Sequence, residues 1–299
     1  MKRCCINSVQ TWFITGSSRG LGRALLDAAL AAGDNVVATA RDPQALADAA
    51  ADRPDALLRL PLDVTDPDAA QAALAAAAAH FGRLDVVVNN AGYADLAPVE
   101  TDTLDNFRRQ FETNFFGVYH VSRAAIPVMR AQGGGLLVQV SSLGGRVGGS
   151  PGIASYQAAK FAVDGFTRAL AVEAAPFGIR TLVVEPSGFA TDWAGSSMTV
   201  HDIGEDYDAT IGAMQRLVRT GESGAAGDPR RAAEIIVRTV AVSPVPSHLL
   251  LGVTAVERAI AYSEEQLAQA RAWEQVSRSA DFAEPYPVPL PGATPADAQ

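Results

Sequence analysis

Short apolar runs alternating with helical patterns constrain this chain more than any other feature. The runs are TWFIT (11–15), NVVATA (35–40), LLRLPLD (57–63), LDVVVNNAG (84–92), GLLVQVSS (135–142), IRTLVVEP (179–186) and SHLLLG (247–252). Each is apolar along most of its length, as strands covered on both faces are. Helical periodicity fills the gaps. Leu21, Leu25 and Ala28 share one face after the first run, and further helices are predicted near 43–51, 67–81, 101–131, 155–176 and 228–241. Asp66-Pro67 and Asp228-Pro229 read as an N-cap followed by a first-turn proline. This alternation predicts an α/β fold built on a doubly wound parallel sheet.

Some segments stand outside the pattern. Residues 188–227 are rich in Gly, Ser and Asp, with Trp193, Met198, Tyr207, Ile211, Met214 and Leu217 interspersed. That is long for a plain connection and predicts a lid or substrate pocket, with a solvated surface excursion as the plainer alternative. A C-terminal helix is expected over 254–278. The Pro-rich tail 280–299 is expected to be disordered or draped over the surface. Residues 1–279 are expected to form one domain.

Composition narrows the class. With 299 residues, 48% of them hydrophobic and 19% charged, the chain suits a soluble globular protein with a sizeable core. A formal charge of −9 argues against nucleic acid or an anionic membrane as the main partner. Cys4 and Cys5 are adjacent and the only cysteines, so no internal disulfide framework is expected. His80, His120, His201 and His248 are scattered without metal-ligand spacing, so no metal is expected. The N-terminal stretch lacks a signal-like apolar run and no stretch has membrane-spanning length, so a cytoplasmic location is expected.

The glycines after the first run carry the first chemical signal. In FITGSSRGLGRAL, Gly16 permits a sharp turn, and Gly20 and Gly22 allow close approach to a diphosphate and tight helix–strand packing. A helix N-terminus placed there offers free N–H groups and a positive dipole end to phosphate. A glycine triplet alone is weak, but this one follows a strand and opens a helix.

A second signal is Tyr156 and Lys160, four apart in SYQAAKFAVDGF and so on one helix face. Of 24 basic residues, only Lys2 and Lys160 are lysines. Free Tyr has a pKa of about 10, and a nearby cation favours the phenolate. An ammonium can also donate in several directions, which a planar guanidinium does less well. A core-edge Tyr beside a surface Lys is the plainer alternative.

With the spacing TGxxxGxG (15–22), LDVTD (62–66), NNAG (89–92), Asn114 in FETNFFG, VSS (140–142) and Tyr156-Gln-Ala-Ala-Lys160, the chain resembles the classical short-chain dehydrogenase/reductase family. The resemblance covers roughly residues 10–252. Within the family it looks most like the bacterial branch that resembles 17β-hydroxysteroid and retinol dehydrogenases. It implies a Rossmann-type sheet, hydride transfer between a nicotinamide nucleotide and a carbonyl or secondary alcohol, and a homodimer or homotetramer. It assigns Tyr156 as the acid/base, Ser142 as a donor to the substrate oxygen, and Lys160 and Asn114 to the proton relay. Ser141 is the rival serine, because the gap from Ser142 to Tyr156 is one residue longer than usual. Cofactor contacts are implied for Gly16, Ser18, Arg19, Gly20, Leu21, Gly22, Arg41, Asp63, Val64, Asn90, Ala91, Gly92, Pro186, Gly188 and Thr191, beside Tyr156 and Lys160. In VEPSGFATDW, Ser187 stands where Gly is commoner, which shifts the loop by one residue or strains it.

NADP(H) is expected over NAD(H). The second run ends in Thr39-Ala40-Arg41 rather than in a carboxylate, and Arg41 with Arg19 would pair well with a ribose 2′-phosphate. NAD(H) is the alternative if Arg41 is solvated and Asp42 turns in. Phe189, Trp193, Tyr93, Leu143 and the 188–227 insertion predict a fairly apolar pocket for a small-molecule carbonyl or alcohol. Two other readings compete: an NADP-binding redox regulator without turnover, and a sugar-nucleotide epimerase or dehydratase. The intact Tyr156, Lys160, Ser142 and Asn114 set weighs against the first. The glycine spacing and the lack of a larger C-terminal domain weigh against the second.

Overall fold

The structure is a computed structural model that describes residues 9–49, 53–191, 198–220 and 227–292. Trp193, Cys4 and Cys5 lie outside the described residues. The chain divides into two compact units, residues 1–255 and 256–299.

The first unit is a seven-stranded sheet. Its strands are β1 (Thr11–Ile14), β2 (Asn35–Ala40), β3 (Leu57–Pro61), β4 (Val86–Asn89), β5 (Gly135–Val140), β6 (Ile179–Pro186) and β7 (His248–Leu251). All pairs are parallel, in the order β3-β2-β1-β4-β5-β6-β7. The order reverses between β1 and β4, which opens a crevice at the carboxyl ends of those strands. This is the doubly wound Rossmann-type arrangement expected from the sequence.

The continuous apolar runs have a physical cause. Trp12 and Ile14 point into one cluster with Leu25, Leu26 and Ile236, while Phe13 points into another with Leu74, Val121 and Met129. Alternate side chains of one strand therefore enter two separate cores, so both must be apolar. Helices α1 (Gly20–Ala31) and, later in the chain, Pro229–Val240 cover the first face. Helix α2 (Pro67–Phe81) covers the second with the helices that follow. Asp66 caps α2 by accepting from the Asp68 and Ala69 amides at 2.9 and 3.0 Å. Asp228 caps the helix at Pro229 by accepting from the Arg230 amide at 2.8 Å.

Three helical boundaries differ from expectation. Among its described residues, the segment predicted near 43–51 holds only a 3₁₀ turn at Pro43–Leu46, where Asp42 folds back to accept from the Gln44 amide. The stretch predicted as one helix over 101–131 is α3 (Leu104–Phe111), a π-helical turn at Glu112–Phe116, and α4 (Gly117–Ala131). The C-terminal helix is α8 (Val253–Ala272) followed by α9 (Glu274–Arg278), broken at Trp273. Between α4 and α8 lie α5 (Ala154–Ala174), α6 (Gly212–Thr220) and α7 (Pro229–Val240).

Of the segment 188–227, the described part packs rather than floats. Met198, Ile203, Ile211 and Val218 form a third apolar cluster with Ala94, Leu96, Ile153 and Tyr156. Leu96 bridges Val200, and the Tyr207 hydroxyl donates to Glu100 at 2.6 Å.

Candidate active site

The turn between β1 and α1 is locked by side chains. Gly16 and Gly20 have φ of 66° and 57°, a region that favours glycine. Gly22 has no room for a side chain: a Cβ there would lie 2.3 Å from the Gly16 carbonyl oxygen and 2.4 Å from Asn90 Nδ2. Asn90 donates to the Thr15 and Gly16 carbonyls at 2.9 and 3.1 Å, tying the end of β4 to the loop. The Thr15 hydroxyl accepts from the Asn90 and Ala91 amides at 2.9 and 3.0 Å. Ser17 donates to the Ile14 carbonyl at 2.7 Å and accepts from the Thr39 amide at 3.2 Å. Thr15, Ser17 and Thr39 were not singled out in the sequence; small hydroxyl residues at strand ends give no periodic signal.

Of the other expected cofactor residues, Thr191 meets this loop. Thr191 lies against Gly20, its Cβ 3.6 Å from where a glycine Cβ would be. Ser187 donates to the Leu251 carbonyl at 3.3 Å, beside the exposed Gly188 that follows Pro186. Arg19 and Arg41 are exposed and have no ion-pair partner among the described residues. Asp42 is exposed and caps the 3₁₀ turn that follows it by accepting from the Gln44 amide at 2.9 Å. Ser18 and Leu21 are half-buried. Asp63 is exposed and accepts from Thr65, whereas Val64 is buried and its carbonyl meets His120 Nδ1 at 3.1 Å.

Tyr156 and Lys160 lie on α5, one turn apart, and are 7% and 3% exposed. Tyr156 hydrogen-bonds Ser142. Lys160 Nζ donates to the Val140 carbonyl at 2.8 Å and lies 5.7 Å from the Tyr156 ring centre. The two serines separate here. Ser141 is buried, and its hydroxyl donates to the Lys160 carbonyl at 3.2 Å. Ser142 is half-buried, and its hydroxyl accepts from the Gly144 amide at 3.0 Å. Of the two serines, Ser142 is the one that bonds the phenol, and the long glycine-rich loop to Tyr156 does not prevent it.

Electrostatics differ from expectation at the phenol. Burial pushes Tyr156 up to about 12, offset only in part by the hydrogen bond from Ser142. Burial lowers Lys160 to about 8. The expected lowering of the phenol by the lysine is not seen: burial raises it, and the group that works against burial is Ser142.

Asn114 sits in the π-helical turn and is fully buried. Its amide donates to the Tyr93 carbonyl at 2.8 Å and the Gln110 carbonyl at 2.9 Å, and its Oδ1 accepts from the Tyr93 amide at 3.2 Å. A Cβ on Gly92 would meet Asn114 Oδ1 at 2.5 Å and Lys160 Nζ at 3.4 Å, so the exposed Gly92 backbone borders both groups.

The expected substrate residues do not all share one wall. Leu143 is buried, directly after Ser142. Tyr93 is half-buried, its phenol raised by burial and by the charge of Asp95. Phe189 instead packs on the sheet core and against Gly227, with which it forms a β-bridge.

A further polar cluster went unread. Asp164, Glu185 and His248 bring their ligand-capable atoms within 4.8 Å of one another. Arg146 pairs with Glu185 at 2.8 Å, and Arg168 with Asp164 at 2.8 Å, so guanidiniums hold oxygens that a cation would need. Burial pushes Asp164 up, but hydrogen bonds from His248 and Arg168 outweigh it and hold its carboxyl below the ordinary range. Its members lie far apart in sequence, which is why no spacing rule reveals them.

A reversed parallel sheet with a glycine-lined turn at the reversal, and a Ser–Tyr–Lys cluster beside it, define a Rossmann-type oxidoreductase. A family model described as short chain dehydrogenase matches residues 10–200. An oxidoreductase of Botryotinia fuckeliana (strain B05.10) is 45% identical over 267 residues, which is 89% of this chain and 97% of that protein. The crystal structure of a short-chain dehydrogenase from Streptomyces avermitilis matches with a TM-score of 0.85 at 38% identity, covering 92% of this chain and 100% of that one. A 3-ketoacyl-(acyl-carrier-protein) reductase from Brucella melitensis, solved with NADH, matches with a TM-score of 0.67 at 26% identity, covering 81% and 96%. The chain belongs to the short-chain dehydrogenase family. Among the described residues, no helix is long and apolar enough to cross a membrane.

Proposed function

We propose that the protein reduces the carbonyl of a fairly apolar small molecule, with NADP(H) as its nucleotide and Tyr156 as proton donor. The observation that carries this reading is the hydrogen bond between Ser142 and a buried Tyr156 whose phenol is pushed up to about 12. That phenol keeps its proton at neutral pH, so the residue is present in the protonated form that a proton donor in reduction requires.

The chain fits a dinucleotide. The Gly22 backbone leaves the turn open where a side chain would close it, and α1 presents its N-terminus there. The nucleotide supplies the hydride chemistry. Gly16, Ser18, Gly20, Leu21 and Gly22 would hold the diphosphate, with Asn90, Ala91 and Gly92 lining the next stretch. Asp63 and Val64 would meet the adenine, and Pro186, Gly188 and Thr191 the nicotinamide end. Arg19 and Arg41, exposed and without ion-pair partners among the described residues, favour a 2′-phosphate. The Asp42 carboxylate caps its own 3₁₀ turn by accepting from the Gln44 amide.

The remaining steps belong to side chains. Ser142 donates to the substrate carbonyl oxygen and stabilises the developing alkoxide. Tyr156 gives that oxygen its proton. The ammonium of Lys160 offsets the phenolate left behind, and Lys160 with Asn114 returns a proton from solvent. The cluster of Met198, Ile203, Ile211 and Val218 around Tyr156 excludes water and favours an apolar substrate.

The test is nucleotide oxidation against a panel of ketones, quinones and aldehydes, with NADPH and NADH in parallel. Turnover faster with NADPH is expected. Tight NADPH binding without turnover of any compound would favour a redox regulator.

A further inference from the structure

Gln157 follows the tyrosine on α5 and is only 8% exposed, yet its Nε2 has no hydrogen-bond partner among the described residues. A buried amide donor without a partner costs free energy, so its retention needs a reason. Its position suggests one. The point where a Cβ on Gly144 would sit lies 3.4 Å from Gln157 Nε2 and also 3.4 Å from Ser142 Oγ. The amide, on α5, therefore lies within about 7 Å of the Ser142 hydroxyl, which opens the turn after β5 and bonds Tyr156. Because residue 144 is glycine, no side chain stands between the two groups.

We propose that Gln157 is a specificity-determining residue that donates from Nε2 to a second oxygen of the substrate, close to the carbonyl held by Ser142. This rests on the reductase reading above and narrows its substrate class to carbonyl compounds carrying an additional acceptor oxygen, such as an ether or ester oxygen. A substrate without that oxygen leaves the amide buried and unpaired, a situation that discriminates more strongly than a missing methylene does.

Two pairs of ketones differ by one CH₂-to-oxygen exchange and supply the test: hexan-2-one with 4-methoxybutan-2-one, and heptan-2-one with 5-methoxypentan-2-one. We expect wild type to show kcat/KM roughly tenfold higher for the ether in at least one pair. Gln157→Leu should bring the two members level, with the plain ketone changed less than about threefold. Gln157→Glu keeps the size but replaces the donor with an acceptor, and it should reverse the preference. Equal rates for both members in wild type, or equal loss of both in Gln157→Leu, overturn the proposal. Melting of the variants separates this from failure of the reductase reading. If wild type reduces none of the four ketones while still binding NADPH, the reductase reading is the one in difficulty. A Gln157→Leu Tm equal to or above wild type then still supports an unsatisfied amide. A lower Tm shows an internal partner and overturns the proposal.

Discussion

Arg146, on the loop after the serine pair, holds Glu185 at the end of β6 through an ion pair of 2.8 Å, with the glutamate side chain only 1% exposed. The pair joins the loop that carries Ser142 to the strand that leads into Pro186 and Thr191. Burial pushes the Glu185 carboxyl up, and Arg146 offsets only part of that.

Removing the arginine strands a buried charge. Arg146→Ala should therefore cost about 3 kcal/mol at neutral pH. The sign with pH follows from the raised carboxyl: the protonated form is favoured in the fold, and the cost of ionisation appears as pH rises through the folded value. The deficit of Arg146→Ala should thus shrink as pH falls and Glu185 takes a proton. Arg146→Met combined with Glu185→Leu should recover most of the loss. Denaturant melts of the three proteins between pH 5 and 8 check this, and a deficit independent of pH would speak against it.

Gly22→Ala places a methyl group 2.3 Å from the Gly16 oxygen. Overpacking of this kind costs about 1–3 kcal/mol. On the proposed reading, in which this turn receives the diphosphate, it should also weaken NADPH binding at least about tenfold. Gly165→Ala is the control. It lies in α5 with nothing within 4 Å of the new Cβ, and it should gain about 0.5–1 kcal/mol. Thermal melts and fluorescence titration with NADPH read both effects.

How far the sequence was legible depends on how local each signal is. The strands were readable because Trp12 and Phe13 feed two different cores, which forces unbroken apolar runs. The glycine turn was readable for a similar reason, since Gly22 is fixed by a steric requirement within a few residues. The 3₁₀ turn at Pro43–Leu46 was not, because one hydrogen bond from Gln44 to Asp42 overrides helical periodicity. Nor was the π-helical turn, where Asn114 reaches back to Tyr93 across 21 residues. The choice between Ser141 and Ser142 stayed open in one dimension. In three dimensions their hydroxyls go to the Lys160 carbonyl and to Tyr156. The lowered phenol was argued from one neighbouring charge. Burial, which pairwise spacing does not report, raises it instead. Pairwise spacing does not single out Gln157 either, since its burial is not a local signal.

Lys160 gives a prediction with a definite sign. Burial lowers it to about 8 from an ordinary value near 10.5. The fold therefore favours the neutral amine, and that contribution is lost as pH falls through about 8. Relative to Lys160→Met, wild type should gain stability as pH rises from about 8 to 10.5, measured without added nucleotide. Carbonyl reduction should show the opposite trend and decline above pH of about 8 as the ammonium beside the phenol disappears. A reduction rate that climbs through this range would contradict the role given to Lys160.

Arg41→Ala should raise the KM for NADPH about tenfold and leave that for NADH within about twofold, since only the former has a 2′-phosphate to lose. Equal effects on both nucleotides would mean that the guanidinium acts on something they share.

The central claim is that Tyr156 gives a proton to a carbonyl oxygen. The most direct measurement compares wild type and Tyr156→Phe for NADPH affinity and for NADPH-dependent reduction of one accepted ketone. The account predicts an unchanged Kd and a loss of at least about 100-fold in kcat. A variant that binds NADPH as wild type does and keeps its turnover would contradict it.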